Sequence, residues 1–124
     1  MADGSFRLDQ KKLDEIKGNL GAEFNGFIEN YIESVHGYMS ELKKGLFEKN
    51  ATQVAGAAEQ IKTSSAHIGG NIVSEFAKNI KEQAESGNLE TLNTQLDEMK
   101  EAFESLTGLL REQSETSNGA SDET

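Results

Sequence analysis

Between residues 89 and 110 the apolar side chains fall at Leu89, Leu92, Leu96, Met99, Phe103, Leu106 and Leu110. The spacings alternate 3, 4, 3, 4, 3, 4 without a fault. Such a repeat lays every one of these side chains along a single stripe of an α-helix. A stripe of that length must be buried, so the rest of the chain has to provide helices to cover it. The sequence contains no proline, which leaves long helices uninterrupted. No stretch shows the period-two alternation of a strand.

The remaining helices follow from the same kind of pattern. Asp9 is a good N-cap, and Leu8 with Leu13 forms a hydrophobic staple around it. The short first helix then carries Leu13 and Ile16, with Gly18 expected as its C-cap. A second helix is expected to start near residues 20–22 and to run to about Glu48. Its apolar positions are Phe24, Phe27, Ile28, Tyr31, Val35, Tyr38, Met39, Leu42 and Leu46. Gly37 and Gly45 weaken that helix, and a bend is expected at Gly37. Asn50 caps a third helix with Gln53 in the capping-box position, and Gly69-Gly70 ends it. A fourth covers about 71–86, burying Ile72, Val73, Phe76 and Ile80. Gly87 ends that helix, and Asn88 caps the fifth. The expected architecture is all-α: an up-and-down antiparallel four-helix bundle with the short N-terminal helix as a lid. The bundle occupies 8–112, after a flexible N-terminus at 1–7. From 113 to 124 an acidic tail holds one alanine and no larger apolar residue, so disorder is expected there.

Several function classes drop out on composition. A chain of 124 residues supports one domain with one core. The absence of cysteine excludes disulfides and thiolate metal sites. A formal charge of −10 opposes nucleic acid and anionic membranes and suits a partner with a local basic patch. The start carries no basic region followed by an apolar block, so the cytoplasm is the expected compartment. Glu33 and His36 make one isolated Glu-x-x-His pair, and His67 lacks even that, so no metal site is expected. No carboxylate pair is marked as desolvated, no glycine loop cradles a phosphate, and no Ser-His-Asp set can be argued. The chain is not expected to be an enzyme or to need a cofactor.

The third helix is unlike the others. Val54, Ala58, Ile61, Ser65 and Ile68 form its buried seam by spacing. Its opposite face carries Thr52, Ala55, Gly56, Glu59, Thr63 and Ala66, with Lys62 on the shoulder. Long polar side chains fill the outward faces elsewhere in the chain. Here small residues surround one carboxylate and one ammonium, and a surface of low relief lets another protein approach closely. Taken alone, Glu59 and Lys62 one turn apart are an ordinary solvated ion pair, worth ~0.2–0.5 kcal/mol.

The stretch Gln60-Ile61-Lys62-Thr63-Ser64-Ser65-Ala66-His67-Ile68-Gly69 resembles the signature of histidine-containing phosphotransfer (HPt) domains, His-x-Leu-Lys-Gly-Ser-Ser-x-x-Leu-Gly. Ile61 takes the leucine place, and Lys62, Ser64, Ser65, Ile68 and Gly69 match. The resemblance extends over about 8–110, because the helix order is also the family's, with Glu48-Lys49-Asn50-Ala51 in place of its small-polar turn. Two positions depart. The phosphoaccepting histidine falls at position 59, which is Glu59, and the glycine after the lysine is Thr63. The resemblance implies a docking face at Ala55, Glu59, Lys62, Thr63 and Ala66, supported from behind by Ile61, Ser64, Ser65, Ile68 and Gly69. It implies as partner the receiver domain of a response regulator or of a hybrid histidine kinase, the receiver supplying both Mg²⁺ and the aspartate. A carboxylate at 59 is a poorer nucleophile than imidazole, so no phosphate relay is expected through it. His67 lies eight residues on, about 80° around the helix, and does not replace it.

The expectation is thus a pseudo-HPt signalling protein, monomeric, that binds a receiver without passing phosphate through position 59. One alternative is a genuine phosphorelay protein in which Glu59 replaces the phosphoaccepting histidine. Another is a structural helical module that pairs with a further helix, which requires the 89–110 seam to be partly exposed.

Overall fold

The computed structural model describes residues 8–123, with side chains described as far as 114. The N-terminal stretch 1–7, expected to be flexible, lies outside those residues. The chain enters helix α1 (Gln10–Leu20) as expected: the Asp9 carboxylate accepts the Lys12 backbone N–H at 3.2 Å. Leu8 and Leu13 are both buried as the staple requires.

The end of α1 differs from the expectation. Gly18 is an ordinary helical residue, and the helix continues to Leu20. The residue that turns the chain is Gly21, at φ 53°, a backbone region that glycine enters without a Cβ penalty. A 3-10 turn (Gly21–Glu23) then leads directly into α2 (Phe24–Phe47). Gly37 does not interrupt α2. Gly45 has a different role from the one its sequence position suggests. It is buried, and a Cβ there would stand 2.9 Å from Val54 Cγ2 and 3.1 Å from the Val54 nitrogen. Its missing side chain is what lets α3 cross close to α2.

After α2 the chain turns with Lys49 at φ 56°, and the Asn50 N–H closes the helix end on the Gly45 carbonyl at 2.8 Å. Asn50 caps α3 (Ala51–His67), its side chain accepting the Gln53 N–H at 3.1 Å. The reciprocal half of the capping box is not formed. The Gln53 amide reaches instead to the Glu41 carboxylate at 2.9 Å, stitching α3 to α2.

Helix α4 (Asn71–Glu85) follows after Gly69 and Gly70. It buries Val73, Ala77, Ile80 and Ala84, while Phe76 packs half-buried against the core and Ile72, expected to be buried, is only half-buried. Alanines facing inward on α4, together with Ala57 and Ala58 on α3, suit close helix packing, and the α3–α4 pair is the most extensive in the bundle. Gly87 ends α4 at φ 86°. Asn88 is not the cap of the next helix, because α5 (Leu92–Glu123) begins three residues later than expected. Leu89 closes a preliminary turn, its carbonyl accepting the Leu92 N–H.

Leu92, Leu96, Met99, Phe103, Leu106 and Leu110 are all buried, so the seam is consumed inside one chain. Ile32 joins the core although it breaks the expected α2 stripe. Helix α2 packs against α1, α3 and α5, and three neighbours need a broader apolar face than one.

The expected tail boundary at 113 also moves. Ser114 is buried and its hydroxyl bonds to the Asn25 side chain. Lys17 donates to the Gln113 carbonyl at 3.3 Å. Arg111 forks onto the Glu29 carboxylate at 3.1 and 3.2 Å, joining α5 to α2. Side chains from 115 onward lie outside the described residues. The architecture is the all-α bundle expected: α2, α3, α4 and α5 surround the core and α1 closes one end. Among the described residues no helix is long and apolar enough to cross a membrane.

Candidate functional site

The seam of α3 fixes how its outer face is presented. Val54, Ala58, Ile61, Ser65 and Ile68 are each fully buried. With that side pinned, helical geometry turns Glu59 and Thr63 outward. Ala55 and Ala66 are half-buried, and Thr63 is exposed. The Glu59 and Lys62 side chains are 41% and 34% exposed, so both are reachable while resting against the helix surface.

Ser65 is polar yet sits in the seam. Its hydroxyl lies 2.6 Å from the Tyr31 hydroxyl of α2, and both residues are buried. The pair satisfies two groups that would otherwise be stranded in the core. Burial pushes the Tyr31 phenol up to about 12, with the Ser65 hydrogen bond pulling slightly the other way. Tyr31 also meets Phe103 of α5 edge-on, with ring centroids 5.9 Å apart. Three helices are therefore keyed together directly behind the outward face of α3.

Gly69 holds the C-terminal end of α3. Its φ is +85°, and a Cβ there would stand 2.9 Å from the Asp9 carbonyl oxygen. The Asp9 N–H donates to the Gly69 carbonyl at 2.7 Å, and the Lys12 ammonium donates to the Ala66 carbonyl at 3.3 Å. Helix α1 thus adds a second donor to carbonyls at the C-terminal end of α3, each of which also accepts a local backbone N–H. Ser64 is half-buried. On the α4 side, the Ser74 hydroxyl donates to the Lys62 carbonyl at 3.0 Å.

The electrostatics centre on Glu59. Lys62 approaches its Oε1 at 3.4 Å, and Thr63 donates its hydroxyl to Oε2 at 3.3 Å. A third partner comes from another helix: the Lys81 ammonium lies 3.9 Å from the same Oε1 and 3.0 Å from Glu85. Glu85 holds the Lys81 pKa above its ordinary value, through a hydrogen bond and its charge, with Glu59 and Glu82 adding to it. The sequence reading missed Lys81. Its only signal is its place next to buried Ile80 and one turn after buried Ala77, on the shoulder of α4. Which helix that shoulder faces is decided by tertiary packing.

The five outward residues thus share one face of α3, and the five supporting positions lie behind or beside it. A shallow hollow of about 300 Å³, lined by Ala51, Thr52, Ala55, Ala84 and Glu85, continues the face toward α4. On the other flank Phe27, Asn30, Tyr31, Ser34, Thr63, Ser64 and His67 line a groove of about 330 Å³. His67 is exposed at the helix end and His36 is on α2 against Phe103, so neither imidazole joins Glu59. Chemically the site is a carboxylate held by two ammonium groups and a hydroxyl, on a low ridge between two hollows.

No protein-family model matches the chain, and no curated protein matches it. Among solved structures, the crystal structure of histidine-containing phosphotransfer protein B (HptB) from Pseudomonas aeruginosa PAO1 matches with a TM-score of 0.83. The match covers 86% of this chain and 93% of that chain at 18% identity. The two proteins share a fold.

Proposed function

We propose that this protein is an HPt-like component of two-component signalling. It binds the receiver domain of a response regulator or hybrid kinase on the outward face of α3, and it passes no phosphate through position 59. The observation that carries this reading is the setting of Glu59. It stands at the centre of a face kept low by Ala55, Gly56, Thr63 and Ala66, with Lys62 and Lys81 already paired to its carboxylate. Two ammonium groups and a hydroxyl are donors of the kind that stabilise a phosphoryl group. A permanent carboxylate occupies them with one negative charge and offers no imidazole nitrogen for transfer.

A receiver-binding titration tests the docking face. Ala55→Arg places a long cation on the ridge and Lys62→Ala removes one of the two ammonium groups; each weakens receiver binding at least tenfold. Unchanged affinity in both variants sinks the assignment of this face.

One observation favours the second reading, a relay protein carrying Glu where the histidine belongs: Lys62, Lys81 and Thr63 stand ready around position 59. Glu59→His decides between the two. Rapid uptake of phosphate from a phosphorylated receiver shows the relay geometry intact, whereas receiver binding without uptake leaves a dedicated docking protein. Pairing through the 89–110 seam has less support, because Leu92, Leu96, Met99, Phe103, Leu106 and Leu110 of that seam are buried within one chain.

A further inference from the structure

Away from the α3 face, a cavity of about 190 Å³ opens between α2 and α5, lined by His36, Met39, Ser40, Lys43, Leu96, Lys100, Phe103 and Glu104. Its composition is divided. Met39, Leu96 and Phe103 are core residues at 8%, 4% and 2% exposure, and they form an apolar floor. The His36 ring stands edge-on to Phe103 at 5.4 Å and 86°, so an aromatic wall rises from that floor. Ser40, Lys43 and Lys100 supply donors at the rim, one lysine from each helix.

The rim resembles the surroundings of Glu59 in kind. There a hydroxyl four residues on, a lysine of the same helix and a lysine of the neighbouring helix hold the protein's own carboxylate. Here Ser40 stands four residues after His36, Lys43 shares its helix, and Lys100 comes from α5. Among the described residues, however, no carboxylate lies within ion-pair distance of Lys43 or Lys100. In a chain with 22 acidic and 12 basic residues, two lysines with no ion pair line one hollow with an apolar floor.

We propose that this cavity binds a small organic monoanion with one aromatic ring, of the aryl-carboxylate class. The charge count sets the monoanion. Among the lysine and glutamate side chains of the lining, Lys43 and Lys100 against Glu104 leave a surplus of one positive charge, and Glu104 opposes a second negative charge on the ligand. The volume sets the size, being below the ~300–1,000 Å³ typical of sites for drug-sized ligands. The ring lies on Met39, Leu96 and Phe103 with its face or edge toward His36, in the offset or edge-on geometry aromatic pairs prefer. The carboxylate takes Lys43, Lys100 and the Ser40 hydroxyl. This site is independent of the receiver-binding reading and shares no residue with it.

The test is a two-dimensional NMR titration of the full chain with three probes of one shape: phenylacetate, phenyl phosphate and 2-phenylethanol. The expected result is saturable shifts for phenylacetate at Met39, Ser40, Leu96 and Phe103 and at the His36 ring, with the neutral alcohol at least tenfold weaker. Lys43→Ala/Lys100→Ala, both on the solvent rim, weakens phenylacetate at least fivefold and leaves the folded spectrum elsewhere unchanged. Phenylethanol binding as tightly as phenylacetate overturns the anion assignment. Tighter binding of phenyl phosphate overturns the monoanion assignment. Shifts confined to the groove at Phe27, Thr63 and His67, or no saturable shift at all, overturn the site.

Discussion

The Tyr31–Ser65 contact predicts a specific pattern of stability loss. The hydroxyls are 2.6 Å apart, and neither residue is exposed by more than 7%. Tyr31→Phe leaves the Ser65 hydroxyl buried with no partner, and Ser65→Ala does the same to the phenol. Each single change costs about 1–3 kcal/mol, because a stranded buried hydroxyl carries its whole desolvation penalty. The double variant removes both polar groups at once, so its loss falls short of the sum by about 1–2 kcal/mol. Alkaline pH supplies an independent measure. The folded phenol is pushed up to about 12, against about 10 in the unfolded chain. The folded state therefore keeps a proton that the unfolded state releases. The stabilising contribution is fully present below about pH 10 and is lost as pH rises through the folded value, amounting to about 3 kcal/mol in total. Tyr31→Phe lacks that component, so its penalty relative to the parent shrinks by about 1 kcal/mol between pH 8 and pH 11. Urea unfolding followed by circular dichroism at both pH values measures all four proteins. Additive single losses refute the pairing, and a penalty that stays constant with pH refutes the burial argument.

Other substitutions test the backbone. Gly45→Ala drives a methyl into Val54 and costs about 1–3 kcal/mol. Gly37→Ala, whose Cβ meets nothing within 4 Å, stabilises α2 by about 0.5–1 kcal/mol; thermal melts of the two should shift in opposite directions. Gly69→Ala meets both a φ of +85° and the Asp9 carbonyl, so a loss of at least ~1–2 kcal/mol is expected, with faster amide exchange at Asp9 as the local signature. Lys49→Gly relieves a left-handed lysine and raises stability by about 1 kcal/mol in chemical denaturation.

Legibility in the sequence followed how local each determinant was. The α5 stripe from Leu92 to Leu110, the α3 seam and the Asp9 and Asn50 caps depend on a few neighbouring residues and appear as read, whereas Leu89 falls outside the helix. Gly18 and Gly21 are alike in sequence; only the required turn direction separates them, and that depends on where α2 packs. Gly45 reads as a weak point until Val54 is brought against it. Ile32 reads as an outlier until α2 is seen to have three neighbours. At the candidate site, Glu59, Lys62 and Thr63 share one helix turn and were visible together. Lys81 arrives from another helix, Tyr31 reaches Ser65 across 34 positions, and Asp9 reaches Gly69 across 60. No short-range pattern announces such meetings.

The Asp9–Gly69 hydrogen bond also bears on synthesis. The chain emerges N-terminus first, and α1 is made well before its docking site exists. Until residue 69 has cleared the ribosome, α1 has no carbonyl at which to anchor its entry, and Leu13 has no completed core to fill. A short amphipathic helix is marginal by itself. The nascent protein must therefore carry α1 unassembled through the making of α2 and α3. A cotranslational folding reporter should show α1 protection arising late, together with the end of α3, although α1 is made before α2 and α3.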